Sequence, residues 1–152
     1  MKPTETRLCV KKLIKAKRER VFEAWTTPEL MKRWYAPDEM TVTSATCDLR
    51  VGGEYRIEMQ GALMGDEASG TVSGKYISII PGELLVFTWR WDGDPSPETL
   101  VTVELAEVSG GTEVTVTHDR FSSAKARNKH EYGWTGCLEN LASYWRHNGE
   151  RQ

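Results

Sequence analysis

His118 is the side chain in this sequence best suited to move a proton or to orient a ligand. Its imidazole titrates near neutrality, and its parity with Val114 and Val116 places it on the inward face of a strand, shortly before Phe121. A core histidine bonded to a backbone carbonyl fits the same position. Arg50 precedes a double glycine, where its fork of donors suits a ligand carboxylate or phosphate. An exposed or ion-paired residue beside a bend fits that spacing too. Six tryptophans, at positions 25, 34, 89, 91, 134 and 145, either fill a core or line a pocket, because an indole offers an apolar wall with one polar tip. Gly61-Ala62-Leu63-Met64-Gly65 puts two apolar side chains in a glycine-flanked loop. It reads as a lid over a cavity, a locally packed loop, or a contact with another subunit.

Other chemistries find little support. His118, His130, His147 and the three cysteines show no paired ligand spacing, so no structural zinc site is expected. There is no G-x-S-x-G, G-x-G-x-x-G or Walker loop, and Gly70-Thr71-Val72-Ser73-Gly74 lacks the strand-to-helix context of a nucleophile elbow. Asp48 and Glu58 could meet across strands, as acids on sheet surfaces do. His130, on an apolar helical stripe, reads as a capping or packing residue. Nothing calls for a cofactor.

The 152 residues, 39% hydrophobic and 28% charged, suit one domain over 1–152 with a core that needs no staples. The net charge of −2 exerts no general pull on nucleic acid or anionic lipid. Residues 1–20 hold eight Lys or Arg against two Glu, leaving 12 basic and 20 acidic residues elsewhere. Those early cations interleave with Leu8, Val10 and Ile14, as the wet face of a strand would. Cys9, Cys47 and Cys137 read as inert core thiols. No apolar run approaches the roughly 20 residues of a membrane span, and no secretory leader is legible; a cytoplasmic location is expected.

The order of elements follows from period. Residues 5–14 alternate as a first strand; Val21, Phe22 and Trp25 share a helical face; Thr27-Pro28-Glu29 opens a second short helix carrying Leu30, Met31 and Trp34. From residue 41 the period becomes two. Strands separated by Val51-Gly52-Gly53, Pro81-Gly82, Asp92-Gly93 and Ser109-Gly110-Gly111 must be antiparallel neighbours. Trp134, Cys137, Leu138, Leu141, Tyr144 and Trp145 then form one helical stripe flanked by Gly133 and Gly136. Interior glycines cost a helix about 1 kcal/mol each, so close backbone approach or room for something other than side chain is expected there. The class is α+β: about seven strands, two short helices after the first, and a long helix at the end.

Val21-Phe22-Glu23-Ala24-Trp25-Thr26-Thr27-Pro28-Glu29-Leu30 with Trp34, then Asp48 to Tyr55, Gly74-Lys75-Tyr76, Pro81 to Trp89, Gly111-Thr112-Glu113 with Thr117-His118, and Gly133-Trp134 before Leu138 and Leu141 resemble the START-like (SRPBCC) helix-grip superfamily. The nearest branch is that of the activator of heat-shock protein 90 ATPase homologues. The resemblance implies a curved antiparallel sheet gripping the C-terminal helix, with a hydrophobic cavity between them. The expected function is binding of a small hydrophobic or aromatic molecule. Trp34, Tyr55, Met59, Tyr76, Phe87, Trp89, Phe121 and Trp134 are the expected walls, with His118 and Arg50 the polar groups. A cyclase- or hydrolase-type enzyme using His118 is the alternative, or a module that binds a chaperone, a regulator or a second copy.

Overall fold

The computed structural model describes residues 6–36, 40–63 and 65–147. Strand β1 (Leu8–Ile14) leads into helices α1 (Arg18–Thr26) and α2 (Pro28–Met31). Strands β2 (Thr41–Cys47), β3 (Glu54–Gln60), β4 (Ala62–Leu63), β5 (Asp66–Glu67), β6 (Gly70–Ile80), β7 (Leu84–Trp91), β8 (Thr99–Val108) and β9 (Gly111–Asp119) follow, and helix α3 (Ala124–His147) comes last. Seven strands make one curved sheet in the order β1-β9-β8-β7-β6-β3-β2, while β4 and β5 pair as a separate hairpin. Every pairing among the described residues is antiparallel, as the short glycine connections require for β2–β3, β6–β7, β7–β8 and β8–β9. The α+β helix-grip class is therefore observed.

The two-residue period decides which side chains meet the helix. Tyr55, Ile57 and Met59 are buried between exposed Glu54, Arg56 and Glu58. Leu85, Phe87 and Trp89 are likewise buried on β7, Val101, Val103 and Leu105 on β8, and Val114, Val116 and His118 on β9, although their alternates are mostly half-buried and Thr88 is buried too. One extra residue, Ile77, bulges from β6 between the pairs Tyr76–Phe87 and Ser78–Val86, and such bulges bend a strand and sharpen its twist. Gly82 has φ of +77° and Glu83 N–H donates to the Ile80 carbonyl at 2.9 Å, the geometry a Pro-Gly pair favours at the centre of a type II turn.

Helix α3 starts earlier than its apolar stripe. The Ser123 hydroxyl accepts from the Ala126 N–H at 3.1 Å, a side-chain cap that begins a polar first turn. Thr27 precedes α2 as expected, but its hydroxyl makes no capping bond; its carbonyl takes the first bonds, from Leu30 and Met31. One expectation fails: Cys9 is exposed on the outer face of β1, whereas Cys47 is half-buried and Cys137 buried, all as free thiols. The parity that turns Leu8 inward turns Cys9 out. Among the described residues no helix is long and apolar enough to cross a membrane.

Candidate functional site: a cavity between sheet and helix

A cavity of about 430 Å³ lies where β3, β7 and the β4–β5 hairpin face the N-terminal half of α3. Its apolar wall is built by Met59, Trp89 and Trp91 from the sheet, Leu63 from the hairpin, Trp134 and Cys137 from α3, and Tyr35 and Met40 from the connection after α2. Gly133 also lines it, so one of the two helix glycines borders open space. Glu67, Asp92, Asp94 and Lys129 stand at its rim, where Asp92 is already paired with Arg56 at 2.7 Å.

Local structure explains how Tyr35 reaches this wall. Helix α2 stops at Met31, and the segment beyond it is tied to α3. Cys137 Sγ donates to the Tyr35 carbonyl at 3.3 Å, and Asn140 Nδ2 donates to the Ala36 carbonyl at 2.9 Å. The Tyr35 ring lies parallel to Trp89 at 6.5 Å and edge-on to Trp134 at 5.8 Å. Burial, and then the neighbouring Tyr55, Cys137, Tyr76 and Cys47, push its hydroxyl well above the ordinary tyrosine range, so it stays protonated.

Two histidines fix two of the indoles. Trp134 Nε1–H donates to His118 Nδ1 at 3.0 Å. An indole N–H can only donate, so the His118 proton resides on Nε2, which contacts Thr99 Oγ1 at 2.6 Å. That hydroxyl donates onward to the Trp89 carbonyl at 3.1 Å. Trp91 Nε1–H donates to His130 Nε2 at 3.1 Å, and His130 Nδ1–H then donates to the Ala126 carbonyl at 2.8 Å. Burial, reinforced by nearby His130, pushes His118 well below its ordinary pKa; burial also lowers His130. Both imidazoles are neutral, with both ring nitrogens engaged.

Of the side chains expected at the site, Met59, Trp89 and Trp134 come together around the cavity. Tyr55, Tyr76 and Phe87 form an adjoining buried cluster, with centroids 5.3 to 6.3 Å apart. Trp34 packs edge-on against Trp25 at 4.6 Å and donates to the Ala24 carbonyl. Phe121 covers His118 at 4.3 Å, and His118 itself sits behind Trp134 with no exposed surface. Arg50 is exposed and bonded to Asp48 at 2.8 Å. Tyr35, Met40, Trp91 and His130 join the wall without having been singled out for it. Their signal was weak: Tyr35 and Met40 lie outside any periodic element. In the glycine-flanked loop Leu63 is buried against the cavity, while Met64 lies outside the described residues. Among the described residues no group of His, Cys, Asp or Glu is arranged to hold a metal ion.

Several solved structures share this architecture. A protein from Chromobacterium violaceum is 26% identical with a TM-score of 0.81, over 91% of this chain and 95% of its own. An AHSA1-like protein from Aeromonas hydrophila is 26% identical with a TM-score of 0.73, over 94% of each chain. The AHSA1 protein from Silicibacter pomeroyi, 22% identical with a TM-score of 0.78 over 92% of this chain and 97% of its own, shares the fold. No functionally curated protein matches. The family described as activator of Hsp90 ATPase homolog 1-like protein matches residues 15–146, and the chain belongs to that helix-grip family.

Proposed function

We propose that this protein binds a small hydrophobic or aromatic molecule in the cavity between the sheet and α3. The wall carries the reading: four aromatic side chains, two methionines, a leucine and a thiol line a half-open cavity of about 430 Å³, within the range of small-molecule sites. Protein interiors are packed as densely as organic crystals, so a space of this size with oily walls favours an apolar occupant over water. A ligand burying about 200 Å² of apolar surface gains about 5 kcal/mol at 25 cal/mol per Å². Part of that is lost to ordering, so dissociation constants of about 0.2 mM or weaker are expected for a simple hydrocarbon.

The test is a fluorescence titration with diphenylhexatriene, which emits when shielded from water. Saturable one-to-one binding is expected for the natural sequence. Gly133→Leu should abolish it, because the added side chain fills the space, while the helix gains up to about 1 kcal/mol in propensity. Equal binding by a folded Gly133→Leu protein would place the probe elsewhere and contradict the reading.

A further inference from the structure

We propose, resting on the cavity-binding reading above, that His130 is an acid-operated release switch: a proton taken up on its Nε2 drives Trp91 from its place in the wall and expels an apolar occupant. The two histidines near the cavity differ in position. His118 stands behind Trp134 with no exposed surface and does not line the space. His130 lines it, as does Trp91, and both are half-buried. Trp91 ends β7 and His130 lies in the second turn of α3, so their bond of 3.1 Å ties sheet to helix on one side of the cavity. The Trp91 ring also approaches Gly70, at the foot of the β4–β5 hairpin, where an added Cβ would lie 3.2 Å from it. One indole therefore connects three parts of the wall, and a single imidazole nitrogen holds it.

The proton has one place to go. His130 Nδ1–H is held by the Ala126 carbonyl at 2.8 Å, a backbone acceptor on the preceding turn of the same helix. The added proton therefore sits on Nε2, the atom that now accepts from Trp91 Nε1–H. An indole can only donate, so two donors would face each other and the Trp91 side chain must swing away. Solvation acts in the same direction. An imidazolium in the wall demands water, and an apolar occupant removes that water. The charged and titratable groups around His130 are Lys129 on its own helix, Asp94 after β7 and His118 on β9, whose ring lies 5.2 Å away. Glu67 of the hairpin and Asp92 line the same cavity. Burial lowers the pKa of His130; the Ala126 carbonyl opposes this, Lys129 adds to the lowering, and Asp94 opposes it. Deeper burial holds His118 well below its ordinary value, so His130 takes the first proton. An occupant that favours the neutral ring must, by reciprocity, lower the pKa of His130 further.

Cyclohexane suits the test, because it is neutral and saturated and so neither titrates nor stacks on a cation. Its dissociation constant, followed by NMR from pH 7.5 downward, should be flat above the ordinary histidine value of 6.5. Below the pKa of His130 it should rise by up to about tenfold per pH unit, with near-ultraviolet circular dichroism confirming at each pH that the protein is folded. His130→Gln keeps an acceptor near the Nε2 position and takes up no proton, so it should remove the slope although His118 still titrates. In the natural protein, the His130 Cε1–H resonance should titrate at lower pH with excess cyclohexane than without it. An affinity that ignores pH, a slope that survives in folded His130→Gln, or a His130 titration unmoved by cyclohexane overturns the switch and leaves the cavity reading standing. Cyclohexane that fails to bind at pH 7.5 overturns both.

Discussion

Two neutral histidines position two of the cavity's indoles, and neither can do so once protonated. A proton on His118 Nδ1 or His130 Nε2 replaces the acceptor that Trp134 or Trp91 uses. Burial keeps the folded-state pKa of both below the ordinary value of 6.5. As pH falls, the unfolded chain therefore takes up protons first. Stability is fully present above the unfolded pKa of 6.5 and is lost below it until the folded-state pKa is reached. Each histidine contributes a slope of up to about 1.4 kcal/mol per pH unit. Urea denaturation between pH 7.5 and 5.5 should show this loss, and His118→Asn, which keeps an acceptor near the Nδ1 position without titrating, should flatten it by about half. An unchanged slope in that variant would show that His118 is not the titrating group. That His118 points inward was legible from its parity with Val114 and Val116. The bond it receives from Trp134 was not, because it joins residues on different elements and depends on how α3 lies across the sheet.

At the scale of elements, Gly74 shows why a strand omits a side chain. It sits opposite Tyr55 in the β3–β6 ladder, and the Tyr55 ring leans across this gap until its hydroxyl donates to the Thr88 carbonyl at 2.6 Å. A Cβ on Gly74 would collide with that same carbonyl, which is backbone and cannot rotate away. Gly74→Ala should therefore cost about 2–3 kcal/mol, as overpacking and a disturbed buried hydrogen bond do together. Gly93→Ala, strained only by its φ of +86° and with open space around it, should cost about 1 kcal/mol. Thermal unfolding of the two variants checks the order, and equal losses would dismiss the close crossing. Strand faces and turns were readable because alternation and Pro-Gly chemistry are local properties. The face of the second helix was misleading beyond its end. Carrying the helical phase of Leu30 and Met31 on to position 34 selected Trp34 for the wall, yet α2 stops at Met31 and the next residue, Tyr35, takes that place. Ser123 opens α3 with a polar turn that an apolar stripe cannot reveal.

On the scale of the molecule, the cavity exists because α3 is held to the sheet at several points that are not all apolar. Lys12 pairs with Glu139 at 2.9 Å, but both are substantially exposed, so this pair contributes little. Asn140 anchors the 34–36 segment at the Ala36 carbonyl, and that segment presents Tyr35. Asn140→Ala should cost about 1 kcal/mol in unfolding free energy and weaken probe binding as well, because the wall loses its support; a stability loss with unchanged binding would separate the two. The general site, a pocket between sheet and last helix, was legible through the run of motifs that marks the helix-grip fold. Its exact lining depended on two connections, 32–36 and 61–70, whose residues follow no period. The most direct test is NMR of the protein with ¹³C-labelled methionine methyls during addition of diphenylmethane. Met40 and Met59 line the cavity, whereas Met31 is buried outside it. Saturable shifts of the Met40 and Met59 methyls, with Met31 unmoved, are the predicted result. Unchanged Met40 and Met59 signals in the presence of bound probe would contradict a ligand site between the sheet and α3.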